Sequence, residues 1–242
     1  MGLHLKNLLE KPLMAVVISV LGGLIGTAMP SLAQQELVLP TARPTVSPYQ
    51  TSEQLNELLE EGRKLVSAGN LTDAIAFYEQ AATLEPRNPQ IYAGIGYLQA
   101  RQGNFAAAVA AYRRAISIAP QNPKFQYALG YSLANTGDNL GAEAAYRRAI
   151  QFNRKDVNAY MGLGVVLFRQ GKYQDAMSID QKALAIAPKF GRAYELKGAI
   201  LKQLGHRKEA IAAISNARIL YQRQGYALGV ERAKAMLQEL QP

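Results

Sequence analysis

Hydrophobic and small residues recur along most of the chain at the spacing expected of amphipathic helices. Residues 103–120 show the pattern most clearly, with the sequence GNFAAAVAAYRRAISIAP. Residues 137–150 repeat it closely as GDNLGAEAAYRRAI. In each stretch a turn glycine precedes about a dozen residues whose apolar members lie three and four positions apart. This spacing predicts helices that each bury one face.

Glycine and alanine positions repeat along the chain with a fixed period of 34 residues. A period of this length indicates stacked supersecondary units, each with room for two helices and short turns. The small residues let neighbouring helices approach closely, and tyrosine and leucine fill the space between them. One unit cannot bury its apolar face alone, whereas several in succession can. The repeating positions are Gly62, Gly96, Gly130, Gly164 and Gly198; Gly69, Gly103, Gly137, Gly171 and Gly205; and Ala81, Ala115, Ala149, Ala183 and Ala217.

Three more positions identify the type of repeat. They are an aliphatic residue before the first-helix glycine (Ile95, Leu129, Leu163), an aromatic in the second helix (Tyr78, Tyr112, Tyr146), and a closing proline (Pro86, Pro120, Pro188). In this pattern the chain resembles the tetratricopeptide repeat family. The last two units depart from it, because Asp180 and Ile214 replace the aromatic residue.

The resemblance implies an all-α, right-handed α-solenoid of five helix–turn–helix units. We place the repeats in residues 51–224, at about 55–88, 89–122, 123–156, 157–190 and 191–224. Thr51 or Ser52 is predicted to cap the first helix. Gln222, in place of a closing proline, indicates that the second helix of the fifth unit runs long or turns differently there. Residues 225–242 are predicted to form a capping helix that keeps charged residues such as Arg232 in water.

The first 33 residues have the features of an export signal. Lys6 and Lys11 precede an uncharged apolar stretch at residues 13–28, and Ser31-Leu32-Ala33 has the small-x-small pattern of a cleavage site. The alternative is a permanent membrane anchor formed by residues 13–33. Either interpretation predicts that the repeats lie outside the cytoplasm, in a periplasm or an equivalent lumen. Residues 34–50, in which Pro40, Pro44 and Pro48 are spaced four residues apart, are predicted to form a linker.

Enzymatic chemistry has little support in the sequence. The chain has no cysteine and only two histidines, which leaves no cluster typical of zinc or of a nucleophilic triad. Paired glycines such as Gly162 and Gly164 fall inside predicted helices, so they are interpreted as packing positions and not as a phosphate loop. We therefore predict no catalytic residues, no metal and no cofactor.

A partner-binding groove is the stronger hypothesis. In the tetratricopeptide repeat family the first helix of each unit lines a concave surface, and the resemblance implies that the same positions of this chain face a protein or peptide. The sequence alternative is that some of the tyrosines pack between helices instead. The predicted groove residues are Tyr97, Arg101, Lys124, Tyr127, Tyr131, Met161, Phe168, Arg169, Arg192 and Lys202.

The chain is basic, with a formal net charge of +9 at pH 7. Beside the aromatic anchors, basic groove residues favour an acidic segment or a C-terminal carboxylate as ligand. A second basic feature, which we name the basic ridge, consists of Arg113, Arg114, Arg147 and Arg148 on the second helices. It is interpreted as a solvated surface or as a contact with anionic lipid. No nucleic-acid-binding motif accompanies the charge.

Taken together, these patterns predict a non-enzymatic scaffold or adaptor that binds a partner segment in its concave groove. The alternative is an assembly factor for a membrane protein complex, anchored by residues 13–33.

Overall fold

The computed structural model describes residues 48–240, and this part of the chain contains eleven α-helices and no strand. The predicted all-α repeat fold is therefore confirmed. The helices are α1 (Pro48–Ser67), α2 (Leu71–Leu84), α3 (Pro89–Arg101), α4 (Phe105–Ile118), α5 (Pro123–Thr136), α6 (Asn139–Phe152), α7 (Val157–Arg169), α8 (Tyr173–Ile186), α9 (Gly191–Gln203), α10 (Arg207–Arg223) and α11 (Ala227–Gln238).

The described helices fall into two compact units. The N-terminal unit contains α1–α4, and the C-terminal unit begins at Gln121 and contains α5–α11. Within each unit every helix packs against the next one along the chain. In the C-terminal unit the first helices of successive repeats also touch, since α5 contacts α7 and α7 contacts α9.

Glycine turns join the two helices of each repeat. Gly137 ends α5 with φ 88° and ψ −4°, a left-handed conformation that costs glycine nothing and other residues about 1–2 kcal/mol. The next residue, Asp138, accepts a hydrogen bond from the amide of Gly141 at 2.8 Å and so caps α6. Because the residue that ends α5 is followed directly by the residue that caps α6, the connection is short. The two helices of the repeat are therefore held close together.

Tyrosine rings fill the space that the first-helix glycines leave open. A Cβ added at Gly130 would lie 2.9 Å from Cδ1 of Tyr146, and one added at Gly162 would lie 2.8 Å from its hydroxyl oxygen. In the N-terminal unit Tyr78 lies in the same way against Gly62 and Gly94. The prediction that glycine permits close helix packing around tyrosine is confirmed.

A Gly162→Ala substitution tests this packing. Alanine improves helix propensity by about 1 kcal/mol, but crowding a packed core costs about 1–3 kcal/mol, and here the new methyl group would overlap the Tyr146 ring. We expect a net loss in the free energy of unfolding, measured by urea denaturation. In a Tyr146→Leu background the same substitution should cost less, because the ring that it overlaps is gone. Equal costs in the two backgrounds would contradict the proposed contact.

Both ends of the array differ from the sequence expectation in detail. Helix α1 begins at Pro48, so Thr51 and Ser52 lie inside its first turn, and the last residues of the predicted linker are helical. Proline suits this position because it lacks the amide hydrogen that the first turn leaves unpaired. Helix α10 has 17 residues against 14 in α8, which confirms the longer helix predicted from Gln222.

The last helix, α11, closes the C-terminal unit against α10. Ala233, Met236 and Leu240 are buried in one cluster with Ile214 and Tyr221 of α10. None of the described helices is both long enough and apolar enough to span a membrane. The predicted signal or anchor and residues 34–47 of the linker lie outside the described residues.

Candidate functional site

The predicted groove residues of the N-terminal unit both lie on α3. Tyr97 is 5% exposed, and the guanidinium of Arg101 lies 5.7 Å from the centroid of its ring. This distance is typical of a cation–π contact. The two side chains therefore contact each other, and Arg101 is the more accessible of the pair.

The apolar groove residues of the C-terminal unit are more buried than a set of exposed anchors would be. Tyr127, Tyr131 and Met161 are 2%, 1% and 7% exposed. The Tyr127 ring packs against the ring of Tyr146 on α6, with 5.8 Å between their centroids. At these positions and at Tyr97 the burial favours the sequence alternative, in which the side chains fill space between helices, and their contact with a partner stays a prediction. Phe168 is half-buried and lies 5.5 Å from the ring of Tyr173.

In the C-terminal unit, Tyr127 and Tyr146 each have a buried hydroxyl group without a hydrogen-bond partner. The hydroxyl oxygens of Tyr127 and Tyr146 form no hydrogen bond with the described residues. Burial raises the pKa of Tyr146 well above its usual value, and it raises the pKa of Tyr131 to about 12. These hydroxyls therefore stay protonated at neutral pH and can donate a hydrogen bond.

The two predicted groove arginines of the C-terminal unit, Arg169 and Arg192, lie on first helices α7 and α9. Arg192, at the start of α9, is half-buried, and its side chain forms no hydrogen bond or ion pair with the residues that the structure describes. Burial raises the pKa of Tyr127, and the positive charge of Arg192 opposes that rise; it does the same at Tyr131. Arg169 donates a hydrogen bond of 3.1 Å to the carbonyl of Ala134 at the end of α5. We name Tyr127, Tyr131, Tyr146, Arg169 and Arg192 the arginine–tyrosine cluster.

The two predicted groove lysines differ in their surroundings: one is exposed and the other forms an ion pair. Lys124 is exposed on the first turn of α5. Lys202 forms an ion pair of 2.7 Å with Glu239, just beyond the end of α11. Lys202 therefore helps to hold the end of the chain, and its charge is balanced within the protein.

A buried ion pair that the sequence did not reveal holds α11 in place. The Nε and Nη2 atoms of Arg232 donate to the two carboxylate oxygens of Glu195, each at 2.9 Å. The Tyr221 hydroxyl donates to the same carboxylate, and Arg232 also lies over the ring of Tyr221. Sequence reasoning placed Arg232 in water; the structure corrects this, since Arg232 binds Glu195 across 37 positions of sequence.

The basic ridge is exposed in both units. In the N-terminal unit the guanidinium of Arg114 lies 5.5 Å from the centroid of the Tyr92 ring. In the C-terminal unit Arg147 forms an ion pair of 2.9 Å with Glu143, which also accepts from Lys172 at 3.1 Å. Part of the ridge charge is thus engaged by neighbouring side chains, as expected of a solvated helix surface.

One buried carboxylate has no obvious structural role. Asp180 is 1% exposed, and neither of its carboxylate oxygens has a hydrogen-bond partner in the described structure. Burial raises its pKa to about 7, against the opposing effect of Lys197. Among the described residues there is no group of three or more histidine, cysteine, aspartate or glutamate side chains that could hold a metal ion. His206 pairs with Glu209 of the next turn at 2.7 Å, and both are exposed.

Known proteins match the chain in both sequence and fold. A family model described as tetratricopeptide repeat matches residues 59–123 and again residues 127–189, together more than half of the chain. A crystal structure of MamA has 24% sequence identity over 68% of this chain and 96% of its own, with a TM-score of 0.64.

Two other solved structures show the same likeness. YrrB, described as a TPR protein with an unusual peptide-binding site, is 21% identical over 76% of this chain and 97% of its own, with a TM-score of 0.62. A tetratricopeptide repeat protein from Parabacteroides merdae ATCC 43184 is 22% identical over 78% of this chain and 79% of its own, with a TM-score of 0.63. At these identities the likeness shows the fold alone.

Proposed function

The chain belongs to the tetratricopeptide repeat family, and from this premise we propose that it is a non-enzymatic scaffold that binds a protein segment along its first helices. The observation that carries the proposal is the arginine–tyrosine cluster of the C-terminal unit. Its first-helix members, Tyr127, Tyr131, Arg169 and Arg192, come from α5, α7 and α9, which touch one another in succession. A partner laid across these helices would meet the positive charge of the half-buried Arg169 and Arg192, above tyrosines that are buried between the helices.

The side chains of this surface are better suited to binding a peptide than to catalysing a reaction. Arginine and tyrosine are the residue types that most often dominate binding energy at protein interfaces. The exposed amine of Lys124 extends the positive charge along α5, which favours a partner segment that carries acidic residues. The peptide-binding site attributed to YrrB gives the proposal a parallel within the same fold.

We further propose that the repeats act outside the cytoplasm, because residues 1–33 have the pattern of an export signal. Sequencing the mature N-terminus tests this part separately. A chain that begins at Gln34 supports cleavage and release, whereas an intact Met1 supports the membrane-anchored alternative.

Site-specific photocrosslinking tests the binding surface. We expect a benzoylphenylalanine placed at Lys124, exposed on first helix α5, to crosslink a partner protein in cells. The matched control is the same group at Arg148, which is exposed on second helix α6 of the same unit. Neither position is buried, so neither substitution should unfold the chain.

The pattern of crosslinks decides between the surfaces. A partner captured from position 124 and not from position 148 supports the proposal. Capture from position 148 alone would move the contact to the basic ridge. If neither position captures protein while the chain binds anionic vesicles, the membrane-contact interpretation replaces the scaffold.

A further inference from the structure

In the C-terminal unit each second helix joins the next first helix at one edge of the unit, which we name the connection edge. It consists of three connections, at residues 152–157, 186–191 and 223–228. Because short connections join helices that run in opposite directions, the three lie at one edge and the glycine turns lie at the other. A hydrogen bond of 3.4 Å from the side-chain amide of Gln224 to the carbonyl of Lys189 links two of the connections directly.

Each of these connections carries an exposed apolar side chain. Phe152 ends α6, Ile186 ends α8, and Leu228 lies in the first turn of α11. Their exposed fractions are 39%, 38% and 71%. A single exposed apolar residue is normal on a protein surface, whereas a group of them marks an interaction site. One such residue in each of three successive connections forms an apolar row along the edge.

The same connections carry exposed cations. Arg154 and Lys155 lie in the first connection, Lys189 lies in the second, and Arg223 begins the third. None of these four side chains forms a hydrogen bond or an ion pair with the residues that the structure describes. The helix dipole does not account for the pattern, because the last turns of α6 and α8 contain no basic residue.

Carboxylates that could balance this charge are nearly absent from the connection edge. Residues 147–155, 181–194 and 210–230 contain no aspartate or glutamate. Asp156 is half-buried, and its Oδ1 atom accepts hydrogen bonds from two backbone amides. Glu231 is exposed on α11 but forms an ion pair of 2.8 Å within that helix. The edge therefore presents unbalanced positive charge beside apolar side chains.

The opposite edge of the unit balances its charge differently. Lys172, at the turn between α7 and α8, forms an ion pair of 3.1 Å with Glu143 of α6. Lys202, near the end of α9, forms one of 2.7 Å with Glu239. Cations at this edge thus bridge neighbouring repeats, whereas those of the connection edge point to a partner outside the chain.

We propose that the connection edge of the C-terminal unit docks on the surface of a membrane that contains anionic lipid. Its cations lie among the phosphate groups, while Phe152, Ile186 and Leu228 enter the boundary between the headgroups and the acyl chains. An acidic protein segment would satisfy the cations alone, so the apolar row favours lipid. The contact goes beyond the scaffold function, and it lies apart from the basic ridge, where Arg147 is already paired with Glu143.

Site-specific fluorescence tests this contact, because the chain has no cysteine of its own. Leu228→Cys is labelled with an environment-sensitive fluorophore in the full chain. The protein is then mixed with vesicles of equal parts phosphatidylglycerol and phosphatidylcholine, or of phosphatidylcholine alone. The matched control is Leu140→Cys, because Leu140 is 72% exposed at the opposite edge of the same unit.

We expect the label at position 228 to shift to shorter wavelength on the anionic vesicles and to be quenched by a spin-labelled lipid. The label at position 140 should remain in water. In the Leu228→Cys background, Lys189→Gln should lower the ratio of docked to undocked label about fivefold, because it removes one cation from an anionic surface. The control Lys208→Gln, which removes an exposed cation at the opposite edge, should change that ratio less than about twofold.

Three results would overturn the proposal. Equal responses at positions 228 and 140 would mean that the vesicles hold the chain by another part. A label at position 228 that stays in water on anionic vesicles would exclude the contact, whatever residues 1–33 do. A label that responds to polyglutamate and not to vesicles would assign the edge to an acidic protein. Partner capture from Lys124 is measured separately, so the scaffold function and the edge contact can fail independently.

Discussion

Replacing Arg232 by methionine is expected to lower the free energy of unfolding of the C-terminal unit by about 3–5 kcal/mol. The substitution removes both hydrogen bonds that Arg232 donates to the Glu195 carboxylate, at 2.9 Å each. Glu195 is 3% exposed, so its charge would remain buried with only the Tyr221 hydroxyl to compensate it. Burying a charge without its counterion is among the most costly changes a single substitution makes.

Urea denaturation followed by circular dichroism measures the loss, and a double-mutant cycle assigns it to the ion pair. The double variant Glu195→Leu/Arg232→Met replaces both charges with apolar side chains, which is often neutral or stabilising for a buried pair. We expect it to be more stable than Arg232→Met alone. A double variant that is no better than the single one would show that the ion pair is not the source of the loss.

Hydrogen exchange locates the effect in the molecule. Helix α11 packs against α10, and in a repeat protein each helix is stabilised by the neighbours on which it packs. The amides of α11 and of its neighbour α10 should therefore lose protection in Arg232→Met. The matched control is Lys234→Met, because Lys234 lies on the same helix and pairs with exposed Glu231. Loss of that exposed ion pair should cost less than about 1 kcal/mol.

The fold was predictable because its determinants are local and repeat. Gly137 both permits the left-handed turn and sets the period, and the Tyr146 ring needs a glycine at positions 130 and 162. The turn glycine at position 137 and the first-helix glycine at position 130 each recur every 34 residues, so both signals appear five times in the sequence. The helix boundaries at the ends of the array are harder to predict from the sequence. Helix α1, for example, begins at Pro48, which does not correspond to any position of the repeat.

The candidate site was only partly predictable because exposure depends on contacts between repeats. Periodicity places Tyr127 and Arg192 on first helices, but it does not show that the ring of Tyr127 is covered while Arg192 stays half-exposed. The Glu195–Arg232 ion pair is still harder to predict, because it joins α9 to α11 and does not recur in the other repeats. In the sequence each residue alone resembles an ordinary charged position on a helix surface.

Asp180 shows how one departure from the repeat pattern is accommodated. It occupies the second-helix position that Tyr146 holds in the previous repeat. A Cβ added at Gly164 would meet Leu196 at 2.9 Å, whereas the equivalent Gly130 faces the tyrosine. Leu196 of α9 is 1% exposed and fills the space that a ring would take. The volume is restored, but the Asp180 carboxylate is left buried without a hydrogen bond.

Asp180→Asn is therefore expected to stabilise the protein by about 3–4 kcal/mol at pH 8, where the wild-type carboxylate is charged in both states. Burial raises the pKa of Asp180 from 3.8 to about 7. Between these values the unfolded chain has released the proton and the folded chain retains it. The folded state binds more protons in this window, so its stability falls as the pH rises from about 4 to about 7 and then levels off. Asparagine has the same shape and no proton to lose.

Urea denaturation of both proteins at several pH values between 4 and 8 isolates this group, because the titration of all other residues cancels in the difference. The two proteins should differ by less than about 1 kcal/mol at pH 4 and diverge above it. Asp175→Asn is the matched control, since Asp175 is exposed on the same helix and should give a small, nearly constant difference. A constant difference for Asp180→Asn would mean that Lys197 or water reaches the carboxylate and compensates its charge. Divergence above pH 4 would instead show that the fourth repeat keeps a charged residue at a measurable cost in stability.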